Sequence, residues 1–227
     1  MKIFERQIWH LLALLFLIAG IITIIQLDTD ILAGSLWNIK TSIWLILSLA
    51  TPVIHQVYVL LCWRLELHNR LLSRKLGQNV FRLYTVGFFI LFIGRIIFII
   101  LLAASNKNTY YIDPLLKYSI SGIIAIIASY AFYSVARYFG MDRAAGKDHF
   151  DSDIAKLPFV KKGIFRYTNN GMYTCVFLII YLPAILYQSQ AALLAALFSH
   201  IYIWVHYYCT ELPDIKTIYG TESQKTR

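Results

Sequence analysis

Six stretches of this chain, at roughly residues 8–27, 41–63, 83–104, 116–139, 172–187 and 191–209, are almost wholly apolar. A bilayer core of ~30 Å needs about 20 apolar residues rising ~1.5 Å each, so runs of this length are sized to cross it. Lipid cannot hydrogen-bond an open strand edge, which leaves helices as the simplest form for such runs. Composition agrees: 59% of the residues are hydrophobic and 15% charged, against ~25% charged in an average soluble domain. The pattern predicts an all-α, polytopic bundle of about six transmembrane helices. The first run is long for a signal peptide, and its nearest small-residue cluster, Ala33-Gly34-Ser35, comes late, so it reads as an anchor. Only Gln188-Ser189-Gln190 separates the fifth and sixth runs, which predicts a tight helical hairpin. Pro213 is expected to stop the sixth helix, because it has no backbone N–H to donate.

The charges are unevenly placed. With six spans, 17 of the 21 Lys and Arg fall on one side, in the N-terminus, the 64–82 and 137–171 loops and the tail with Lys216, Lys225 and Arg227. The positive-inside rule then puts both termini in the cytosol. A basic face suits anionic headgroups at ~1 kcal/mol per cation, which accounts for the net charge of +9 without a nucleic-acid partner. Cys62, Cys175 and Cys209 are isolated within apolar runs and read as reduced side chains. His200 and His206 stand about 240° apart around a helix and share no face, so no metal site is expected. Asp148-His149-Phe150-Asp151-Ser152-Asp153 reads as a solvated loop whose Asp or Ser oxygens can cap a short helix. Trp63-Arg64-Leu65-Glu66 reads as a membrane interface with its charged pair beyond the headgroups.

Two segments carry candidate chemistry. Gly163-Ile164-Phe165-Arg166-Tyr167-Thr168-Asn169-Asn170-Gly171-Met172-Tyr173 opens the fifth run, and Glu211-Leu212-Pro213-Asp214-Ile215-Lys216-Thr217-Ile218-Tyr219-Gly220 leaves the sixth. A short hairpin brings both to one face. Spacing alone leaves two readings open: Arg and aromatic anchors at helix mouths, with Glu211 a solvated residue, or a grip on a small zwitterion.

The two segments resemble the C-terminal signature of the integral-membrane methyltransferases that include isoprenylcysteine carboxyl methyltransferase and phosphatidylethanolamine N-methyltransferase. Gly163, Arg166 and Tyr173 match the Gly-Pro-Tyr-Arg-x-x-Arg-His-Pro-x-Tyr of the prenyl-cysteine branch, and Asn170, Met172 and Tyr173 match the Asn-Pro-Met-Tyr of the phospholipid branch. Glu211, Pro213, Tyr219 and Gly220 fall in register with Glu-Glu-Pro-x-Leu-x-x-x-Tyr-Gly. Gly171 stands where both branches have Pro, Asn169-Asn170 replaces Arg-His, and Leu212 replaces the second Glu.

The resemblance implies an S-adenosylmethionine-dependent methyltransferase whose donor site lies in residues 141–227, with residues 1–140 supplying N-terminal membrane helices. It further implies a membrane lipid or other hydrophobic acceptor, a phospholipid amine first. Arg166 and the turn at Asn170 would hold the donor's carboxylate. Glu211 would accept from its ammonium or ribose, and Tyr167 or Tyr173 would face the sulfonium. Gly163 and Met172 complete that set, and His206 is a candidate base.

Arg95 lies ~18 Å into the third run, where a charge costs at least ~2.5–3.5 kcal/mol and needs a partner or a wet cavity. It and His55 are candidates for touching the acceptor, the alternative for Arg95 being a hydrogen bond to a neighbouring helix. A rival reading is a small transporter or membrane scaffold in which both residues line a path. A third is a family member that has lost catalysis through Gly171 and Leu212.

Overall fold

The computed structural model describes residues 2–220, so Lys225 and Arg227 of the basic tail lie outside it. In chain order the helices are α1 (Gln7–Leu27), α2 (Thr41–Asn69), α3 (Leu71–Leu76), α4 (Val80–Ser105), α5 (Pro114–Ser134), α6 (Met141–Ala144), α7 (Ser152–Ala155), α8 (Gly171–Thr174), α9 (Tyr181–Tyr187), α10 (Gln190–His206) and α11 (Leu212–Tyr219). A two-stranded antiparallel hairpin, β1 (Ser35–Leu36) with β2 (Ile39–Lys40), sits between α1 and α2. The chain is an all-α polytopic bundle.

Five helical stretches are long and apolar enough to cross a membrane: Gln7–Leu27, Thr41–Asn69, Leu71–Ser105, Pro114–Phe139 and Gln190–Tyr219. The expected sixth is shorter and broken, with α8, a 3₁₀ turn at Val176–Ile180 and α9 in succession. It still runs beside α10 along the bundle. Tyr173 meets Glu211 at one end, and the Gln188 carbonyl accepts from the Thr109 and Tyr110 amides at the other. A 3₁₀ turn rises ~2.0 Å per residue instead of ~1.5 Å, so the mixed segment reaches further than its residue count suggests. Pro183 falls in the first turn of α9, where its missing N–H does no harm.

α2 packs along both α4 and α10. Ala191, Ala192, Ala195 and Ala196 of α10 are fully buried, and such small side chains let helix backbones approach closely. α1 is apolar all round and buries only His10 and Ile21, as a helix does whose other faces meet lipid. At the end far from Glu211, Asn106 ties three segments together. Its Nδ2 donates to the carbonyls of Ile31 (3.1 Å) and Ala33 (2.7 Å), and its Oδ1 accepts from Ser189 Oγ (2.8 Å) and the Ala191 amide (3.0 Å). The hairpin linker before α10 is closed by Gln188 in the left-handed region and by Ser189, whose side chain caps the Ala192 amide.

Pro213 does not end the sixth helix. A π-turn at Tyr207–Glu211 follows α10 and leads directly into α11, and Pro213 lies in the first turn of that helix. The N–H it lacks leaves the Cys209 carbonyl without its helical donor, and Arg64 Nη2 and Gln7 Nε2 donate to that carbonyl instead.

Candidate active site

A cavity of about 930 Å³, open mouth included, lies at the Glu211 end of the bundle. Its walls come from four places: Trp63 near the end of α2, Phe139 in the π-turn after α5, the 143–173 stretch, and Glu211, Ile215 and Tyr219 around α11. The site therefore draws on residues before 141 as well as after.

The two candidate segments meet here. Tyr173 Oη donates to Glu211 Oε2 at 2.5 Å, and Asn170, Met172, Tyr173 and Glu211 all line the cavity. Glu211 is the last residue of the π-turn, a local over-widening often found at functional sites. Gly171 has a physical reason to stand where the related families have Pro, since a Cβ there would lie 2.7 Å from Ile164 Cγ2. Leu212 packs against the Tyr173–Phe177–Tyr207 core and is not a lining residue, so the missing second carboxylate was never a wall of this cavity.

Of the 148–153 stretch expected in solvent, Ser152 and Asp153 are exposed and Asp151 caps α7 as expected, but the Asp148–Phe150 part is packed in. His149 is buried, and its ring stacks on Trp63 at 4.1 Å between centroids. Gly146, at φ 84°, permits this because any Cβ there would strike the Trp63 ring. Trp63, Arg64 and Glu66, expected at a headgroup interface, are likewise buried. Ser73 donates to Glu66 through both its amide and its hydroxyl. The reason is a buried network that pairs the charges. Arg64 Nε donates to Asp214 at 3.0 Å, His149 Nε2 lies 3.6 Å from Asp214 Oδ2, His149 Nδ1 lies 3.0 Å from Asp148 Oδ1, and Tyr219 Oη donates to Asp148 Oδ2 at 2.8 Å. Burial opposes charge on Asp148, but its hydrogen bond with His149, that ring's charge, the Tyr219 hydroxyl and the field of Arg143 hold its carboxyl below the usual range.

Burial also works against a charged His149, yet the Asp148 and Asp214 carboxylates outweigh it and push the imidazole up to about 9. A group raised in the folded state adds stability that is complete below its unfolded pKa of ~6.5 and disappears as pH climbs through about 9. At ~1.36 kcal/mol per unit, the contribution is of the order of 3 kcal/mol. Thermal melts of the detergent-purified protein should fall between pH 6.5 and 9.5, and His149→Gln should flatten that fall. An equally steep decline in the variant would assign it to other groups.

The other sequence candidates lie elsewhere. Arg166 and Tyr167 are exposed and outside the cavity lining. Gly163, at φ 59°, lets its loop close on α5, where Ser134 Oγ accepts from the Ile164 amide at 3.1 Å. His206 is buried behind Trp63, 5.8 Å ring to ring, and is not a wall residue. His55 and Arg95 are buried deeper between α2 and α4. Sequence reasoning missed Arg143, a cation on the cavity wall that donates to the carbonyls of Pro158 (3.0 Å) and Leu157 (3.2 Å). Gly140 and Gly146 on either side of it were the available signal of a tightly folded loop. Among the described residues no group of three or more His, Cys, Asp or Glu is placed to hold a metal ion.

The sequence profile of the phospholipid methyltransferase family matches residues 116–222, a stretch that holds α5, the cavity loop and both candidate segments. No curated protein and no solved structure matches the chain. The family match falls on the part of the molecule that supplies most of the cavity wall, and it agrees with the resemblance carried by Asn170, Met172, Tyr173, Glu211 and Pro213. Over residues 116–222, then, this multi-pass helical membrane protein is a match to the phospholipid methyltransferase family.

Proposed function

We propose that the protein is an S-adenosylmethionine-dependent methyltransferase that acts on a lipid-like acceptor, a phospholipid amine first, with its site facing the cytosol. The observation that carries this is the convergence of Tyr173 and Glu211 on one cavity whose chemistry suits the donor. Arg143 and Lys161 offer positive charge for a carboxylate, and Glu211 offers an acceptor for an ammonium or ribose hydroxyl. Trp63 and Tyr173 present ring surface to a cation, and Phe139, Phe159 and Phe165 give an apolar wall for a base. Asn170 and Met172 belong to the same surface, and Gly163 shapes its loop, while Arg166 and Tyr167 stand outside on the loop that carries them. When bound, the donor supplies a sulfonium methyl for in-line displacement. The protein's part is to align the reactants and keep water away, the work of a cavity walled by aromatics. The concentration of Lys and Arg on one side of the spans supports the cytosolic assignment.

Purified protein in detergent should bind labelled donor saturably and pass the label to a lipid extract. Arg143→Ala should weaken binding more than Arg166→Ala. Lack of donor binding would remove the proposal. Binding without transfer would leave a family member that has lost catalysis.

A further inference from the structure

Arg95 is 1% exposed, and among the described residues no ion pair includes it. Its Nε and Nη2 are buried with no hydrogen-bond partner. Those two nitrogens form one edge of the guanidinium and carry parallel N–H groups, the fork that fits two oxygens of a single oxyanion. On the helices packed about it, other buried polar atoms lack hydrogen-bond partners too: both ring nitrogens of His55, Gln56 Nε2 and Ser199 Oγ. Gly94 of α4 lies against Thr51 of α2, so Arg95 stands next to that contact, and His55 is one turn along α2 from it. α2, α4 and α10 pack on one another, and these groups come from all three.

The position relative to the cavity matters. Arg95 sits over the Phe177 ring at 5.4 Å, Phe177 packs edge-on against Tyr173, and Tyr173 is a cavity wall. The Phe177 ring thus stands between the guanidinium and the tyrosine that meets Glu211.

From this we infer a second binding site in which Arg95 receives the oxyanion of an amphiphile, a phosphodiester or a carboxylate, while the rest of that molecule's head lies toward the cavity. The anion site itself stands on Arg95 alone. Its description as part of the methyl acceptor rests on the methyltransferase reading above, and it deepens that reading. The offset favours a head whose anionic group is separated by a short linker from its nucleophile, as in a zwitterionic lipid. A carboxylate that is itself methylated would have to lie in the cavity, not behind Phe177.

The test uses full-length protein in a phosphate-free maltoside detergent, with bound molecules counted by native mass spectrometry. The probes are dioleoylphosphatidylethanolamine, oleate, oleylamine and inorganic phosphate. A charge-assisted fork is worth about tenfold to a hundredfold in affinity. Arg95→Gln should therefore weaken the phosphatidylethanolamine or the oleate by that factor, and oleylamine by less than twofold. Arg95→Lys keeps the charge without the fork and should fall between. Loss with the phospholipid alone identifies a phosphodiester, and loss with oleate alone identifies a carboxylate. Unchanged binding of both anions in Arg95→Gln, an equal loss for oleylamine, or Arg95-dependent binding of inorganic phosphate only would each overturn the inference. Donor binding measured on the same samples separates the two proposals. A variant that still binds donor is folded, and a wild-type protein that holds the anion but no donor keeps this site and loses the methyltransferase reading.

Discussion

Arg64→Ala is expected to destabilise the protein by roughly 3–5 kcal/mol, the scale found when one partner of a buried ion pair is removed. Arg64 is completely buried, and all its nitrogens are engaged. Nε holds Asp214, Nη1 donates to the carbonyls of Ile3 (2.9 Å) and Glu5 (2.7 Å), and Nη2 donates to those of Cys209 (3.1 Å) and Thr210 (3.3 Å). The last two carbonyls lie in the π-turn, and the residue that would donate to Cys209 in an α-helix is Pro213, which has no N–H. One guanidinium thus fastens the N-terminal segment to the turn that presents Glu211, and holds the carboxylate that faces His149. Removing it leaves Asp214 with His149 alone opposite it and takes a donor from four carbonyls. Arg64→Lys should recover only part of the loss, because three rotatable donors cannot replace a planar set of five. A double-mutant cycle with Asp214→Ala, read by thermal melting in detergent, should show coupling of about 1–3 kcal/mol. Strict additivity would mean that the two side chains do not act on each other.

The same residue shows where sequence reasoning reached its limit. Apolar run length located the membrane helices because the bilayer imposes it on each helix separately, and the runs at 8–27 and 83–104 are met by α1 and α4 within a few residues. The meeting of Tyr173 and Glu211 was legible for a similar reason, since a short linker between two helices leaves their ends no other geometry. Arg64, Asp148 and His149 were misread because a charged residue near a helix end has two homes, water or a buried partner, and the partner is far away in sequence. Asp214 is 150 residues from Arg64. The stretch around Arg166 departs from expectation in its geometry. The motif places its residue types in order, but the 3₁₀ turn Gly163–Arg166 decides which of them faces inward, and here Ile164 does while Arg166 does not. Pro213 was given its usual helix-ending role, but the helix runs on through the π-turn because Arg64 and Gln7 donate to the carbonyl that Pro213 leaves free.

Glu211 carries the sharpest consequence for function. Its carboxylate is half-buried on the cavity wall, and Tyr173 donates to one of its oxygens. A charge-assisted hydrogen bond to a bound ammonium or hydroxyl is worth ~1.5–3 kcal/mol, so Glu211→Ala should weaken donor binding by about tenfold to 150-fold. Glu211→Gln keeps the shape and an acceptor for Tyr173 but loses the charge. If the partner is a cation, most of the loss should appear in this variant too, and if it is a neutral hydroxyl, most of the binding should survive. Tyr173→Phe removes the hydroxyl that orients the carboxylate and should cost less than either, since the anion itself remains. The ranking Ala, then Gln, then Tyr173→Phe, read by equilibrium binding of labelled donor at fixed pH, belongs to a carboxylate that touches the ligand. An inverted order, with Tyr173→Phe the most damaging, would mean that Glu211 serves only to hold the tyrosine and that the ligand contact lies on the ring.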